Sequence, residues 1–284
     1  MVKSVLFIGN RCNCFKILDN NPNYSLSKVF ALKDSFLHNY LVLSKKPHRV
    51  FELAEKDEII DELFERPFDV LVSNGCPFLL PASRLKEVSR ILINIHPTYL
   101  PHLRGKSPLN GVFYQNYDFI GATAHFIEDG VDSGNIIYQE KITLTPDIDQ
   151  GLVYYISFEL EGIVFKRALE ILEKNDFTCL GKKMNLHEGS MFNRTNEKQT
   201  VDLNIHSTDL CVKKIKSFGI TSQGCFLTLG DKRLRIFDAE KILSPFLLKS
   251  FASSEIGKIV LGYDEKIIVK TLDGLLKIIS FEEL

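Results

Sequence analysis

No apolar run in the 284-residue sequence approaches the roughly 18 residues of a membrane-spanning helix, so no membrane span is expected. Neither sign of charge dominates. Lys and Arg number 35 against 36 Asp and Glu, and a net charge of −1 gives no general attraction to nucleic acid or anionic lipid. The six cysteines, at 12, 14, 76, 179, 211 and 225, include no C-x-x-C pair. Neither a metal site nor a disulfide framework is therefore expected, and free thiols in a cytoplasmic protein are the default reading. The first strand-like run, Val5 to Ile8, is followed by Gly9-Asn10-Arg11 and lacks G-x-G-x-x-G, so no dinucleotide is implied. Met1 to Gly9 reads as a first strand, too short and without the cleavage site of a signal peptide. Tryptophan is absent, which carries no functional message.

What is present suits a globular chain: 45% apolar and 25% charged residues, and room for one large domain or a large and a small one. Strand-like runs at Val5 to Ile8, Lys28 to Leu32, Val50 to Leu53 and Phe68 to Ser73 alternate with helix-compatible segments. Among these, Glu55 to Glu65 carries Ile59, Ile60, Leu63 and Phe64 on one side. Further strands are expected at Ile91 to Ile95, Gly121 to Ile127 and Asn135 to Leu144. This rhythm predicts a Rossmann-like α/β fold, a parallel-dominated sheet with helices on both faces. Gln150 to Lys174 is the longest expected helix. Its Leu152, Ile156, Leu160, Ile163, Val164, Ala168, Ile171 and Leu172 form the stripe that covers the sheet. The pattern then lapses into a polar, glycine-bearing linker. Beyond it Ser207-Thr208-Asp209 caps a short helix, Leu210 to Phe218. Five strand-like runs with turns at Gly230-Asp231, Asp264-Glu265 and Asp273-Gly274 then predict a small β-barrel-like domain. The expected divisions are 1–175, a linker 176–200, and 201–284.

Two stretches carry chemistry. In Ile93-Asn94-Ile95-His96-Pro97 the prolines stop a buried strand, and Asn94 and His96, two apart, project from one side of it. Carboxyl ends of strands are where open α/β sheets bind ligands. Further on, Gly130-Val131-Asp132-Ser133-Gly134 sets a carboxylate in a loop that brings backbone close to whatever it surrounds. Singly, a histidine after a strand is most often structural, and an Asp between glycines is usually a turn. Together, Asn, His and Asp suffice for acyl transfer to an amine: an oxyanion donor, a base near neutral pH, and a carboxylate for the imidazolium. His125 reads as structural. Cys76, with no base adjacent in sequence, reads as a packed residue. The Gly9-Asn10-Arg11 turn, entering a helix, makes a natural anion site.

The joint pattern N-x-H-P-x-x-L-P and D-G-x-D-x-G resembles the folate-dependent formyltransferase family, which includes glycinamide ribonucleotide, methionyl-tRNA and nucleotide-sugar N-formyltransferases. The resemblance rests on Asn94, His96, Pro97, Leu100, Pro101, Arg104-Gly105 and Asp129 to Gly134, and covers roughly residues 1 to 175. It implies N10-formyltetrahydrofolate as formyl donor and no metal. It also implies Asn94, His96 and Asp132 as the catalytic groups. Near the folate it places Asn74, Gly75, Cys76, Phe78, Ile127, Glu128, Asp129 and Val131. For the acceptor it suggests Asn10, Arg11, Tyr99, His102 and Arg104.

The acceptor is narrowed by departures from the family's branches. Residues 200–284 carry 12 Lys and Arg against 11 Asp and Glu, too even for tRNA. The basic, proline-rich insertion of tRNA formylases is not recognisable between Ala31 and Lys46. Leu229 to Ile236 nevertheless resembles a hairpin of their tail domain. Glycinamide ribonucleotide enzymes usually end near the long helix. The remaining branch acts on dTDP- or UDP-linked amino sugars for polysaccharide precursors, often as homodimers, and the Asn74-Gly75-Cys76-Pro77 turn and Tyr99 look closer to it. The resemblance thus implies a nucleotide-linked amino sugar as partner, with no nucleic acid and no membrane. The alternatives are a methionyl-tRNA formyltransferase, formyl-tetrahydrofolate hydrolysis, and a non-catalytic RNA-binding module on the same fold.

Overall fold

Alternating apolar strands and helices build a seven-stranded sheet in the first part of the chain. The computed structural model describes residues 2–65, 67–87 and 91–284; Met1, at the start of the expected first strand, lies outside them. In order come β1 (Lys3–Gly9), α1 (Asn13–Asp19), β2 (Tyr24–Leu32), α2 (Phe36–Leu43), β3 (Arg49–Phe51), α3 (Lys56–Glu62), β4 (Val70–Asn74), α4 (Ala82–Leu85) and β5 (Ile91–His96). Then follow α5 (Gly111–Tyr114), β6 (Phe119–Phe126), β7 (Ile136–Thr143) and α6 (Gln150–Lys174). The strand order is β3-β2-β1-β4-β5-β6-β7. The first five strands are parallel; β6 pairs antiparallel with β5, and β7 antiparallel with β6.

Both faces of this sheet are covered, so its central strands are continuous apolar runs. Val5, Phe7, Ile93, Ile95 and Ala124 point to one face and pack with α1, α2 and α6 through Phe15, Leu41, Val164, Phe165 and Ala168. Leu6, Ile8, Leu71 and Leu92 point to the other and meet Ile59 of α3 and Leu85 of α4. The long helix has the bounds its periodicity predicts, but its buried stripe is displaced from the expected one. Leu152 is 40% and Ile163 50% exposed, while Phe165 and Leu169 are buried. A stripe read at intervals of three and four drifts around a helix of 3.6 residues per turn, and over 25 residues the reading picked up its flank.

The chain forms two compact units: Met1–Pro108, Phe119–Thr143 and Tyr155–Met191 make up one, and Leu109–Asp118, Leu144–Tyr154 and Phe192–Leu284 the other. The second unit holds α7 (Asn196–Gln199), β8 (Thr200–Val201), α8 (Thr208–Ser217), β9 (Cys225–Leu229), β10 (Lys232–Lys241), α9 (Pro245–Ser250), β11 (Ile259–Tyr263), β12 (Lys266–Lys270) and β13 (Leu275–Glu283). Its six-stranded sheet runs β11-β12-β13-β10-β9-β8. Ser207 caps α8, its hydroxyl accepting the Leu210 N–H at 3.2 Å. The hairpins at Gly230 and Asp264-Glu265 lie where the turn residues predict them. Among the described residues no helix is long and apolar enough to cross a membrane.

Candidate active site

The site grows out of three neighbouring strands. Ser73 on β4 pairs with Asn94 on β5, and Asn94 with His125 on β6. Paired residues share a face, so these three polar side chains stand in a row on the α3 and α4 side. The Ser73 hydroxyl donates to Asn94 Oδ1 at 2.8 Å. His125 Nδ1 lies 2.8 Å from the Phe126 carbonyl, which can only accept, so the proton sits on Nδ1. Its bare Nε2 then accepts from Asn94 Nδ2 at 3.1 Å. Two partners thus fix which way the Asn94 amide points, with its oxygen towards Ser73 and its N–H groups towards His125 and Asp132. The second N–H is 3.4 Å from Asp132 Oδ1, long enough to be diverted to another acceptor.

His96, two residues on and 4% exposed, has Nε2 3.0 Å from the Leu103 carbonyl. A carbonyl cannot donate, so Nε2 carries the proton and Nδ1 is the basic nitrogen. Nδ1 lies 3.5 Å from Asp132 Oδ1. Leu103 holds a left-handed φ of 56°, a conformation that costs a non-glycine residue about 1–2 kcal/mol. The loop that carries it is stitched down: Thr123 accepts the Leu100 N–H at 3.0 Å, and Ser190 Oγ accepts that of Leu103 at 2.9 Å. Asp132, at φ 45°, is pinned by the Gly105 N–H, 3.0 Å from its Oδ2. Gly134 lets the Asp132 loop close on the end of β6, since a Cβ there would lie 1.9 Å from the Phe126 oxygen.

Electrostatics follow from this enclosure. Burial pushes the His96 imidazole below its ordinary value, opposed by the Asp132 charge and the Leu103 carbonyl. Burial alone would raise the Asp132 carboxyl, but His96, His125 and the Gly105 N–H outweigh it and hold it well below the usual carboxylate range. At neutral pH the pair is therefore a neutral imidazole beside a carboxylate. Such a pair accepts a proton at Nδ1 and stabilises the resulting imidazolium.

The other expected residues fall into distinct places. Cys76 and Phe78 pack against the same cluster as Ile127, on the face that carries Asn94 and His96, and Phe78 meets Phe51 edge-on at 5.9 Å. Burial pushes the Cys76 thiol up to about 12, which leaves it a packing residue. Gly75 takes φ +78° against Asn10, where a Cβ would meet the Asn10 amide oxygen at 2.0 Å. Glu128 pairs with Lys86 at 2.7 Å, and Asp129 accepts the Ser83 N–H at 3.1 Å; both side chains tie the loop to α4. Val131 is half-buried in that loop. Tyr99 and His102 each meet Phe119 edge-on, at 6.0 and 5.8 Å, and the Arg104 N–H is held by Ser190 at 3.0 Å. Arg11, expected to offer an open cation, is ion-paired with Glu161 of α6 and lies 4.7 Å over the Phe158 ring. Asn74 is fully buried, and among the described residues its two amide atoms, one Asn10 oxygen and one Glu161 oxygen are buried without a hydrogen-bond partner.

The apolar cluster that Cys76, Phe78 and Ile127 join thus lies on the same face of the sheet as Asn94 and His96. The formyl transferase family model matches residues 2–169, more than half of the chain. The chain belongs to the formyl transferase family. Over 123 residues it is 26% identical to a methionyl-tRNA formyltransferase of Clostridioides difficile, covering 43% of this chain and 40% of that protein. The chain thus spans well under two thirds of the first curated relatives it matches. Among solved structures it is similar to an N-formyltransferase from Helicobacter canadensis in complex with folinic acid and dTDP-3-aminofucose. The TM-score is 0.69 at 19% identity, covering 99% of this chain and 100% of that one. HypX from Aquifex aeolicus in complex with tetrahydrofolic acid is similar at TM-score 0.66 and 18% identity, over 100% of this chain and 44% of that one. These likenesses establish the fold.

Several residues of the site escape a reading of the sequence. Ser73 could have been found by aligning strand ends, since it sits level with Asn94. Glu161 had a clearer signal: an acidic residue one position after Leu160 and three before Val164, inside the apolar stripe of α6. His125, expected to be structural, touches both Asn94 and the neighbourhood of Asp132. The Leu103 carbonyl gave no signal, because its role depends on a backbone turn.

Proposed function

We propose that this protein transfers the formyl group of N10-formyltetrahydrofolate to the amino group of a nucleotide-linked amino-deoxysugar. The donor supplies an activated formyl carbon. The Asn94 amide, locked by Ser73 and His125, donates to the oxygen that becomes negative as the amine attacks. His96 Nδ1 takes the proton that the attacking nitrogen releases and passes it towards the departing nitrogen, while Asp132 stabilises the imidazolium between the two events. The observation that carries the chemistry is the bare Nδ1, 3.5 Å from a buried, ionised carboxylate. No covalent formyl-enzyme is needed, since a neutral amine is itself a competent nucleophile.

The acceptor class is supported by the evenly balanced charge of residues 200–284 and by the likeness, over nearly the whole of both chains, to the Helicobacter canadensis N-formyltransferase. A second reading, formylation of methionyl-tRNA, is favoured by the names of curated relatives such as that of Clostridioides difficile. A panel of dTDP- and UDP-linked amino sugars, with methionyl-tRNA alongside, separates the two. The expected result is a mass gain of one formyl group on a nucleotide-linked sugar. Formylation of the tRNA alone would overturn the acceptor assignment, and no transfer to any amine would overturn the activity.

A further inference from the structure

The second unit contains a cleft that the transfer chemistry does not use. It lies between α5 and α8, encloses about 540 Å³, and has Phe113, Leu210 and Val212 in its wall. That volume suits a small organic ligand. The two helices are fastened together: Asn110, buried just before α5, donates from Nδ2 to the Ser217 carbonyl of α8 at 2.7 Å. Charge decides what such a cleft takes. Asp209, Lys213 and Lys216 line it from successive turns of α8, at spacings of four and three. The Asp209 carboxylate is already held by Lys241 at 2.7 Å. Glu240, whose charge Lys216 reaches, is paired with Lys277. Lys213 lies 6.0 Å over the Tyr114 ring, which attracts a cation without neutralising it. Among the described residues neither Lys213 nor Lys216 enters an ion pair, so the cleft keeps two uncommitted positive charges. Asn116, exposed at φ 55°, adds an amide with both donor and acceptor.

We propose that this cleft binds a nucleoside diphosphate. The base stacks on the Phe113 ring, Asn116 pairs with the base's polar edge, and Lys213 and Lys216 hold the phosphates. Inorganic phosphate would leave the aromatic and aliphatic wall unused. An apolar ligand would leave both ammonium groups and the amide unused. A longer nucleic-acid strand needs more cations than two, and residues 200–284 carry 12 basic against 11 acidic residues. The proposal depends neither on the acceptor nor on formyl transfer.

Calorimetric titration of the full chain at low salt with UDP, dTDP, CDP, ADP and GDP tests this, with inorganic pyrophosphate alongside. At least one nucleotide is expected to bind wild type with one equivalent more than it binds the Lys213→Ala, Lys216→Ala double variant. A nucleotide held elsewhere in the chain is common to both proteins and cancels in the comparison. Each lysine removed singly weakens the site about tenfold or more. Phe113→Leu keeps an apolar side chain; it weakens the nucleotide about fivefold or more and leaves pyrophosphate unchanged. Unchanged far-ultraviolet dichroism checks that the variants stay folded. Three results would each overturn the proposal: no nucleotide bound by wild type, a double variant that binds as wild type does, or pyrophosphate bound as tightly as the nucleotides.

Discussion

Glu161 offers the sharpest test of the buried polar groups beside the sheet. Its carboxyl is fully buried, and burial pushes it from an ordinary 4.5 up to about 7 against the lowering effect of the Arg11 charge. The folded protein therefore holds this proton more tightly than the unfolded chain does. The resulting stabilisation is fully present below pH 4.5 and is lost as pH rises through about 7. At about 1.4 kcal/mol per pH unit, a rise of that size corresponds to about 3 kcal/mol. Glu161→Gln keeps the shape and removes the titration. Arg11, stacked on Phe158 and 16% exposed, then contributes an offset with little dependence on pH. Asp132 titrates in both proteins and cancels in the comparison. Urea unfolding of both proteins at about pH 4.5, 6, 7 and 8, following the transition of the unit that contains Glu161, measures the difference. Wild type should lose about 3 kcal/mol relative to the variant between the two extremes. Parallel curves, flat to within about 1 kcal/mol, would refute a buried carboxylate that pulls its proton into the fold.

His96→Asn and Asp132→Asn should each lower kcat by about 10²–10⁴-fold, measured as formyl transfer, with the thermal transition still cooperative. Because burial holds His96 below the ordinary histidine value of 6.5, kcat/KM should stay level through neutrality and fall only as pH drops below that value. A pH–rate profile breaking above it would contradict the assignment. Ser73→Ala leaves Asn94 Oδ1 a buried acceptor without its donor and should cost about 1–3 kcal/mol in denaturant unfolding, with a loss of kcat at unchanged affinity for the donor.

Periodicity made the long strands and α6 legible, and the joint Asn94, His96 and Asp132 pattern made the heart of the site legible. Their failures are physical. Periodicity gives no clear signal for α2, because Phe36, Val42 and Leu43 are exposed and blur its apolar side. Arg11 looked open to phosphate because its partner, Glu161, is 150 residues away. Ser73 and His125 are ordinary strand residues until register sets them on either side of Asn94. Single-chain patterns report what lies on one element. The network that aims the amide and the imidazole crosses three strands and two loops.

The segment from Lys182 to Met191 reads as a polar connector, yet it fastens the loop that carries Leu103 from outside. Lys182 bridges to Ile136, Ser190 holds the N–H groups of Leu103 and Arg104, and Met191 bridges to Arg104. A protein trimmed after the long helix would retain Asn94, His96 and Asp132 in full. It would nonetheless release the turn whose carbonyl dictates which imidazole nitrogen is bare. On the proposed chemistry the smallest active fragment therefore ends beyond the last motif residue, at the clasp that keeps the histidine's protonation state in order.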